Sequence, residues 1–286
     1  LIHIREWLEQ MGIKNYTIND DGTVDVDDNV NLTYKNLTKI PIQFGKVNGS
    51  FWCNHNKLTT LKGAPRIVGD IFSCNHNKLT TLKGAPRVVK DDFICDSNQL
   101  TTLQGAPRKV GGDFICSYNQ LTTLQGAPEK VGNSFACSDN LLISLEGAPD
   151  SIDSNFWCEN NKLTTLEGAP RIVHGVFSCS YNKLTTLQGA PQYVGGSFLC
   201  NNNQLTTLQG APEKVGHFLC NNNKLTSLQD APKIVSGNFR CDYNQLTSLQ
   251  GAPQYVSGDF SCRNNAKQFT KADVRAVCEV KGDIYT

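Results

Sequence analysis

One unit of about 21 residues repeats eleven times along this chain of 286 residues. In each copy a Cys has a Phe two residues before it and an Asn three residues after it, and the unit reads F-x-C-x-x-N-x-L-T-T/S-L-x-G-A-P-x-x-V. Every interval is 21 residues except one of 20, between Cys200 and Cys220. A fixed period of roughly 20 to 30 residues predicts a stacked solenoid rather than an ordinary globular domain.

The unit predicts one short parallel β-strand per turn and an irregular, Pro-containing return on the convex side. Phe114, Ile115 and Cys116 alternate, which puts Phe114 and Cys116 on the core face and Ile115 on the other face. Pro128 fixes φ and lacks an N–H, so the return is not expected to be helical.

The repeated Asn predicts a ladder, because in-register stacking places identical side chains above one another. Each Asn is expected to hydrogen-bond the turning backbone and the next Asn. The Phe rings are expected to pack in an offset stack. The Asn ladder runs from Asn56 to Asn265.

The core F-x-C-x-x-N-x-L-T-T-L resembles the L-x-L-x-x-N-x-L core of leucine-rich repeats, with Phe and Cys in the first two Leu places. The short, Pro-bearing unit is most similar to phage-encoded and bacterial effector-type repeats. The resemblance covers about three quarters of the chain and implies a leucine-rich-repeat-like solenoid. In the family the opening Leu lies three residues before the next core position, whereas Val110 lies four residues before Phe114. The comparison therefore implies an extra residue, as a bulge, where the chain enters the strand. It also implies that the protein could act on a host protein.

Caps are expected at both ends, because a solenoid would otherwise expose its core at the first and last turns. Residues 1–29 read as a helix that stops at Gly12, followed by a β-hairpin around Asp21 and Gly22. Residues 30–47 form a degenerate zeroth repeat without the Phe and Cys of the unit.

The array itself spans residues 48–265, and residues 266–286 read as a C-terminal cap. There Thr270 and Asp273 form a variant capping box that opens a helix. We expect the inward face of that helix to carry Val274, Val277 and Cys278, and a short strand to follow.

The twelve Cys residues are interpreted as buried thiols rather than as disulfides. Adjacent turns place Cys backbones about 4.8 Å apart, but parallel side chains hold the Cβ atoms further apart than the ~3.8 Å of a relaxed bridge. We therefore expect a reducing, cytoplasmic location, in the host cytoplasm if the protein is phage-encoded. Glycosylation motifs point the other way and are interpreted as chance matches; they begin at Asn15, Asn31, Asn36 and Asn48.

Charge and motifs argue against several classes of function. The formal charge is +1, from 27 basic and 26 acidic residues, which predicts no affinity for nucleic acid or an anionic membrane. No metal-binding, phosphate-binding or catalytic motif occurs, so we expect neither a cofactor nor enzymatic activity. His55 and His76 lie on adjacent turns, but two ligands do not make a metal site.

The positions that vary between repeats are the candidate binding residues. The residue between Phe and Cys faces away from the core, on the concave face of the sheet. An exposed apolar stripe there indicates a partner contact, although apolar residues also simply suit strands. The apolar members of this column are Trp52, Ile94, Ile115, Trp157, Leu199 and Leu219.

A second candidate column lies two residues after each Cys. It contains Tyr118, Tyr181 and Tyr243 among Asn, Ser, Asp and His. This mixture is typical of adaptable protein-binding loops, and equally of a polar strand end that faces water. Acidic residues on the same face would favour a basic partner, or are merely solvated; they are Asp92, Asp96, Asp113, Asp139 and Glu159.

The sequence therefore predicts a non-enzymatic protein-binding module that uses the concave sheet face. Two alternatives remain open. The protein could be structural or self-assembling, as in a virion or fibre, or it could be the targeting arm of a larger enzyme. The sequence does not fix the oligomeric state.

Overall fold

The computed structural model describes residues 2–286, which divide into two compact units. The first unit runs to Leu141 and includes Gly147–Pro149, and the second holds Leu142–Glu146 and Asp150–Thr286. Each unit is a parallel-strand solenoid, which confirms the predicted fold class. Every regular turn contributes two strands of two residues each. We call them the Val strand and the Phe strand, after the residue that each one buries.

The first unit opens with helix Ile2–Gln10 and an antiparallel hairpin of Tyr16–Ile18 and Val24–Val26. Its Phe strands, which pair in parallel, are Val30–Asn31, Phe51–Trp52, Phe72–Ser73, Phe93–Ile94, Phe114–Ile115 and Phe135–Ala136. Its Val strands are Phe44–Val47, Ile67–Val68, Val88–Val89, Lys109–Val110 and Lys130–Val131.

The second unit repeats the arrangement and ends with helix Lys271–Arg275. Its Phe strands are Phe156–Trp157, Phe177–Ser178, Phe198–Leu199, Phe218–Leu219, Phe239–Arg240, Phe260–Ser261 and the capping strand Ile284–Tyr285. Its Val strands are Ser151–Ile152, Ile172–Val173, Tyr193–Val194, Lys214–Val215, Ile234–Val235, Tyr255–Val256 and Glu279–Val280.

The sequence suggested a bulge before the Phe strand, and the structure has a bend there that separates two sheets. In the single 20-residue turn this bend shrinks to Gly216 and His217. The Phe strands stay in register across it, with Phe198 opposite Phe218. The Val strands do not, because Tyr193–Val194 and Lys214–Val215 belong to different sheets. The loss of one residue therefore interrupts the pairing of the Val strands and leaves the pairing of the Phe strands intact.

Stacked Phe rings fill the core of each unit, as predicted. Ring centroids of neighbouring turns lie 5.0 to 5.9 Å apart within each unit, and every one of these rings is fully buried. The zeroth repeat supplies a ring as well, because Phe44 is buried between Trp7 and Phe51, with centroids 6.3 and 5.2 Å away. Phe44 lies on a Val strand, which is why the repeat pattern did not single it out.

The Asn ladder forms, and its partners are backbone atoms of two successive turns. Asn182 is buried, and its Nδ2 donates to the carbonyls of Cys158, Cys179 and Ser180 at 3.0 to 3.2 Å. Its Oδ1 accepts the N–H of Leu163 at 3.0 Å. The same pattern recurs at Asn119, Asn140 and Asn244, so backbone groups take the place of the predicted Asn–Asn contacts.

A second helix, Lys271–Arg275, lies near the C-terminal end of the chain. Thr270 and Asp273 form the predicted capping box. The helix ends at Arg275, however, so Val277 is exposed and Cys278 is buried beyond the helix rather than on its inward face. Neither helix of the described chain is long and apolar enough to cross a membrane.

All twelve Cys residues are buried and none is in a disulfide. Several of the ladder thiols donate to a carbonyl of the next turn, as Cys116 does to Ala136 at 3.3 Å. Burial raises the pKa of Cys53 and of Cys262 to about 12, and that of Cys278 to about 11. The neutral thiol is therefore the stable form in the folded chain.

We expect the native protein to resist thiol reagents at pH 8, because the thiolate is the reactive form. A colorimetric disulfide reagent should titrate fewer than about one thiol in the native state, and all twelve after denaturation. Unfolded thiols ionise above about pH 9, and the folded ones do not until a higher pH. The contribution of the thiols to the free energy of unfolding should therefore be constant below about pH 9. Above about pH 9 it should fall by about 1.4 kcal/mol per pH unit for each thiol. Rapid native labelling of the ladder would contradict this account.

Candidate partner-binding surface

The column between Phe and Cys lies on the outer side of the Phe strands, as predicted. Its large apolar members are half-buried, not exposed, because strands about 4.8 Å apart cover part of one another's side chains. In the first unit these are Trp52, Ile94 and Ile115, and in the second they are Trp157, Leu199 and Leu219. The small residues of the same column are buried; they are Ser73, Ala136, Ser178 and Ser261.

Ser178 differs from Ser73 and Ser261 of the same column in the hydrogen bonding of its hydroxyl group. It pairs with Trp157 on one side and with Leu199 on the other. Its Oγ is buried and has no hydrogen-bond partner anywhere in residues 2–286. Ser73, in the same column, donates instead to Asn75 Oδ1 at 2.6 Å. A buried hydroxyl without a partner is rare and calls for an explanation.

The column two residues after each Cys has one backbone conformation throughout. All of its members have a positive φ, between 51° and 56°. The turn needs this left-handed geometry because it directs the backbone N–H to the next turn, as in the 3.1 Å bond from Tyr181 N to the carbonyl of Asn201. Asn, Asp and His tolerate the left-handed region best among non-Gly residues. The backbone therefore explains most of this column.

The tyrosines of this column are not explained by the backbone. Tyr118, Tyr181 and Tyr243 have φ of 54°, 55° and 53°, and they expose 62%, 56% and 56% of their surface. A bulky residue in this conformation is strained, and these rings gain no core burial in return. Tyr34 of the zeroth repeat, at 72% exposure and φ 56°, occupies the same column. It lies 21 residues before His55, a signal that could have identified it from the sequence.

His55 and His76 belong to an aromatic stack rather than to a metal site. Their ring centroids are 4.3 Å apart and nearly parallel, and Tyr34 stacks on His55 at 4.4 Å. Face-to-face rings cannot direct their nitrogen lone pairs at one ion. No group of three His, Cys, Asp or Glu side chains in the described residues is arranged to hold a metal.

Three of the acidic residues assigned to this face have a structural role. The Oδ1 atoms of Asp92 and Asp113 accept the backbone N–H groups of Asp113 and Ser134, at 2.7 and 2.8 Å. Asp96 accepts the hydroxyl of Ser97 at 2.9 Å. Because these carboxylates accept hydrogen bonds from backbone N–H groups of the bend and from a hydroxyl at the strand end, their presence is weak evidence for a basic partner.

The face becomes charged at the last turns of the second unit. Arg240 Nε lies 3.1 Å from Asp242 Oδ2, and Asp242 is almost completely buried. Asp242 Oδ1 also accepts the Ser261 hydroxyl and the backbone N–H of Arg263. Arg263 in turn stacks over the ring of Tyr285 at 4.7 Å. The apolar part of this unit's face therefore extends from Trp157 to Leu219.

Among solved structures, the APL1 leucine-rich repeat domain aligns with 93% of this chain and 99% of its own length, with a TM-score of 0.50 and 14% identity. The chain has the leucine-rich repeat fold. Its repeats carry Phe and Cys at the first two Leu places, as the sequence suggested. No protein-family model and no curated protein sequence matches this leucine-rich repeat chain.

Two YopM structures are also similar, at lower TM-scores. YopM from Yersinia enterocolitica WA-314 aligns with 80% of this chain at 19% identity and a TM-score of 0.42. The leucine-rich effector protein YopM from Yersinia pestis aligns with 90% of this chain and 88% of its own, at 15% identity and a TM-score of 0.43. The present leucine-rich repeat chain spans 65% of the length of the Yersinia enterocolitica structure.

Proposed function

We propose that this leucine-rich repeat chain binds another protein through its Phe-strand face. This face consists, in each unit, of the outer column of the Phe strands and the tyrosines of the left-handed column. The observation that carries the proposal is the placement of Tyr118, Tyr181 and Tyr243. Each stands where the backbone favours Asn, and each presents a ring to solvent. Strain that recurs at exposed positions without a structural benefit is typical of functional sites.

The composition of the face supports contact with protein. Trp and Tyr dominate the energetics of protein interfaces because they bury a large area with little loss of side-chain freedom. In the second unit Trp157 and Leu199 are half-buried, so they offer anchors that need little further ordering. Such pre-ordered side chains lower the entropic cost of binding.

The unpartnered hydroxyl of Ser178 adds a polar point to this apolar patch. It lies between the strand positions of Trp157 and Leu199. A partner group that reached it, with a small shift of the neighbouring side chains, would satisfy a hydrogen bond that the free chain lacks. Such a bond would add specificity to the apolar contact.

A five-substitution variant of the second unit tests the proposal with residues that the chain already uses in the same columns. Trp157, Leu199 and Leu219 are changed to Ser, as at Ser73 and Ser261. Tyr181 and Tyr243 are changed to Asn, as at Asn202 and Asn222. We expect the Tyr→Asn changes to raise stability by about 0.5–1 kcal/mol each, because Asn relieves the strained conformation.

A captured partner should be purified and its Kd measured against wild type, the face variant and a control. The control changes five exposed residues outside the face, Lys57, Lys78, Lys162, Lys183 and Lys224, to Gln. We expect the face variant to lose at least about tenfold in affinity, since interface anchors carry most of the binding energy. Equal affinity for wild type and the face variant would refute the proposal. Concentration-dependent sedimentation that the face variant abolishes would instead assign the face to contacts between copies of the chain.

A further inference from the structure

The near-neutral charge of the chain conceals a strongly basic segment. Residues 31–90 contain ten basic residues and a single acidic one, Asp70. The rest of the chain is therefore net acidic. The segment covers the zeroth repeat and the first two turns of the first unit, and its cations are distributed over the return segments as well as the strand ends.

Four of these cations line one groove on the return side of the first unit. Lys62, Arg66, Lys83 and Arg87 surround a volume of about 440 Å³, and all four side chains are exposed. An adjoining recess of about 330 Å³ shares Lys62 with the groove and adds Lys39. The remaining lining residues are small, apolar or neutral, and no carboxylate lines either space.

The column that holds Arg66 and Arg87 is charge-paired elsewhere. Side chains of adjacent turns form cross-turn ion pairs there, at 2.7, 2.8 and 3.0 Å, between Arg108 and Glu129, Asp150 and Arg171, and Glu213 and Lys233.

Arg66 and Arg87 are also on adjacent turns, with Arg87 N bonded to the carbonyl of Arg66 at 2.9 Å, but they carry the same charge. Neither side chain makes an ion pair within residues 2–286. Arg66 helps to lower the pKa of Asp21, although hydrogen bonds from Thr23 are the main cause of that shift. Like charges side by side destabilise a parallel array. The fold thus retains a repulsion here that it relieves in three other places.

We propose that this basic groove binds an acidic, Asp- and Glu-rich segment of a partner polypeptide. Carboxylates are the complementary charge, and the small Gly, Ala and Pro residues of the G-A-P turns leave room for an extended chain. The groove contains no aromatic ring among its lining residues, whereas sites for single-stranded nucleic acid rely on aromatic stacking platforms. The groove lies on the return segments, so it is separate from the Phe-strand face in both residues and column.

The chain supplies its own matched substitutions for a test. Changing Lys62, Arg66, Lys83 and Arg87 to Gln converts two L-K-G-A-P-R returns into the L-Q-G-A-P-Q found at residues 187–192 and 249–254. A control variant changes Lys57, Lys78, Lys162 and Lys183 to Gln, the residue already present at Gln99 and Gln120 in that column. Both variants lose four positive charges, and only the first loses them from the groove.

The probe is a fluorescein-labelled peptide of about twelve alternating Glu and Asp residues, which is long enough in extended form to cross several turns. Fluorescence anisotropy should show binding to the wild type and to the control. The groove variant should bind at least about tenfold more weakly, and so should the wild type when salt is raised from about 50 to about 300 mM. The melting temperature of the groove variant should equal or exceed that of wild type, because a repulsion has been removed.

Three results would overturn the proposal. The peptide could fail to bind the wild type, or the groove variant could bind as well as the control. A labelled single-stranded oligonucleotide of equal charge could also bind more tightly than the peptide and resist displacement by it, which would assign the groove to nucleic acid.

Discussion

Replacing Asn182 by Leu is expected to destabilise the second unit by roughly 3–5 kcal/mol, because several buried backbone groups lose a partner at once. The N–H of Leu163 loses the acceptor that the structure provides at 3.0 Å, and the carbonyls of Cys158, Cys179 and Ser180 lose a donor. Leu has as many side-chain heavy atoms as Asn and a larger volume, so the loss would not reflect a cavity.

Lys183→Leu is the matched control, since it adds the same side chain one residue later at an exposed position. Leu141 already occupies that column in another turn. Urea denaturation followed by circular dichroism should shift the midpoint of Asn182→Leu well below that of wild type and leave the control within about 0.5 kcal/mol. Equal midpoints for the two variants would show that the Asn ladder does not stabilise the turns.

Phe177→Ala is the second change with a large expected effect, about 3–5 kcal/mol, because it leaves a cavity in a fully packed stack. The Phe177 ring lies 5.7 Å from that of Phe156 and 5.3 Å from that of Phe198, centroid to centroid, and is fully buried. The substitution removes a ring that two neighbouring turns contact, so those turns lose packing as well.

Phe177→Leu separates the cavity from the chemistry of the ring. Leucine-rich repeats carry Leu at this place, so the backbone accepts it, and we expect a smaller loss of about 1–2 kcal/mol. Thermal melts of the two variants give the comparison. A loss as large for Leu as for Ala would mean that the stacking of rings, rather than filled volume, holds the turns together.

The repeat predicted those features that depend on side chains in fixed register. The inward Phe and Cys, the outward Ile115 and the capping box at Thr270 are examples, because alternation and spacing alone decide them. The ladder of Asn182 and its equivalents was predicted as well, although its bonds run to backbone and not between Asn side chains. Those partners depend on the path of the turn, which a residue pattern does not describe.

Features that depend on backbone torsion angles, or on which residues of adjacent turns lie side by side, could not be predicted from the repeat pattern. The left-handed φ of Tyr181 is shared by the whole column two residues after each Cys. The turn conformation explains Asn, Asp and His in that column, so only the tyrosines need another explanation. The basic groove was not predicted from the sequence for a different reason. The overall charge of +1 hides the basic character of residues 31–90, and the groove itself forms only when residues 21 apart are placed side by side.

The direction of the Asn bonds has a consequence for how the chain is made. Each Asn accepts an N–H from the turn before it, as Asn182 does from Leu163 and Asn203 does from Leu184. A turn therefore lacks one of its buried bonds until the next turn has been synthesised. On a ribosome, which releases the amino end first, the newest turn is always the incomplete one, and every turn behind it is already closed. The nascent protein would thus expose a single unfinished edge at any moment, however many repeats it contains.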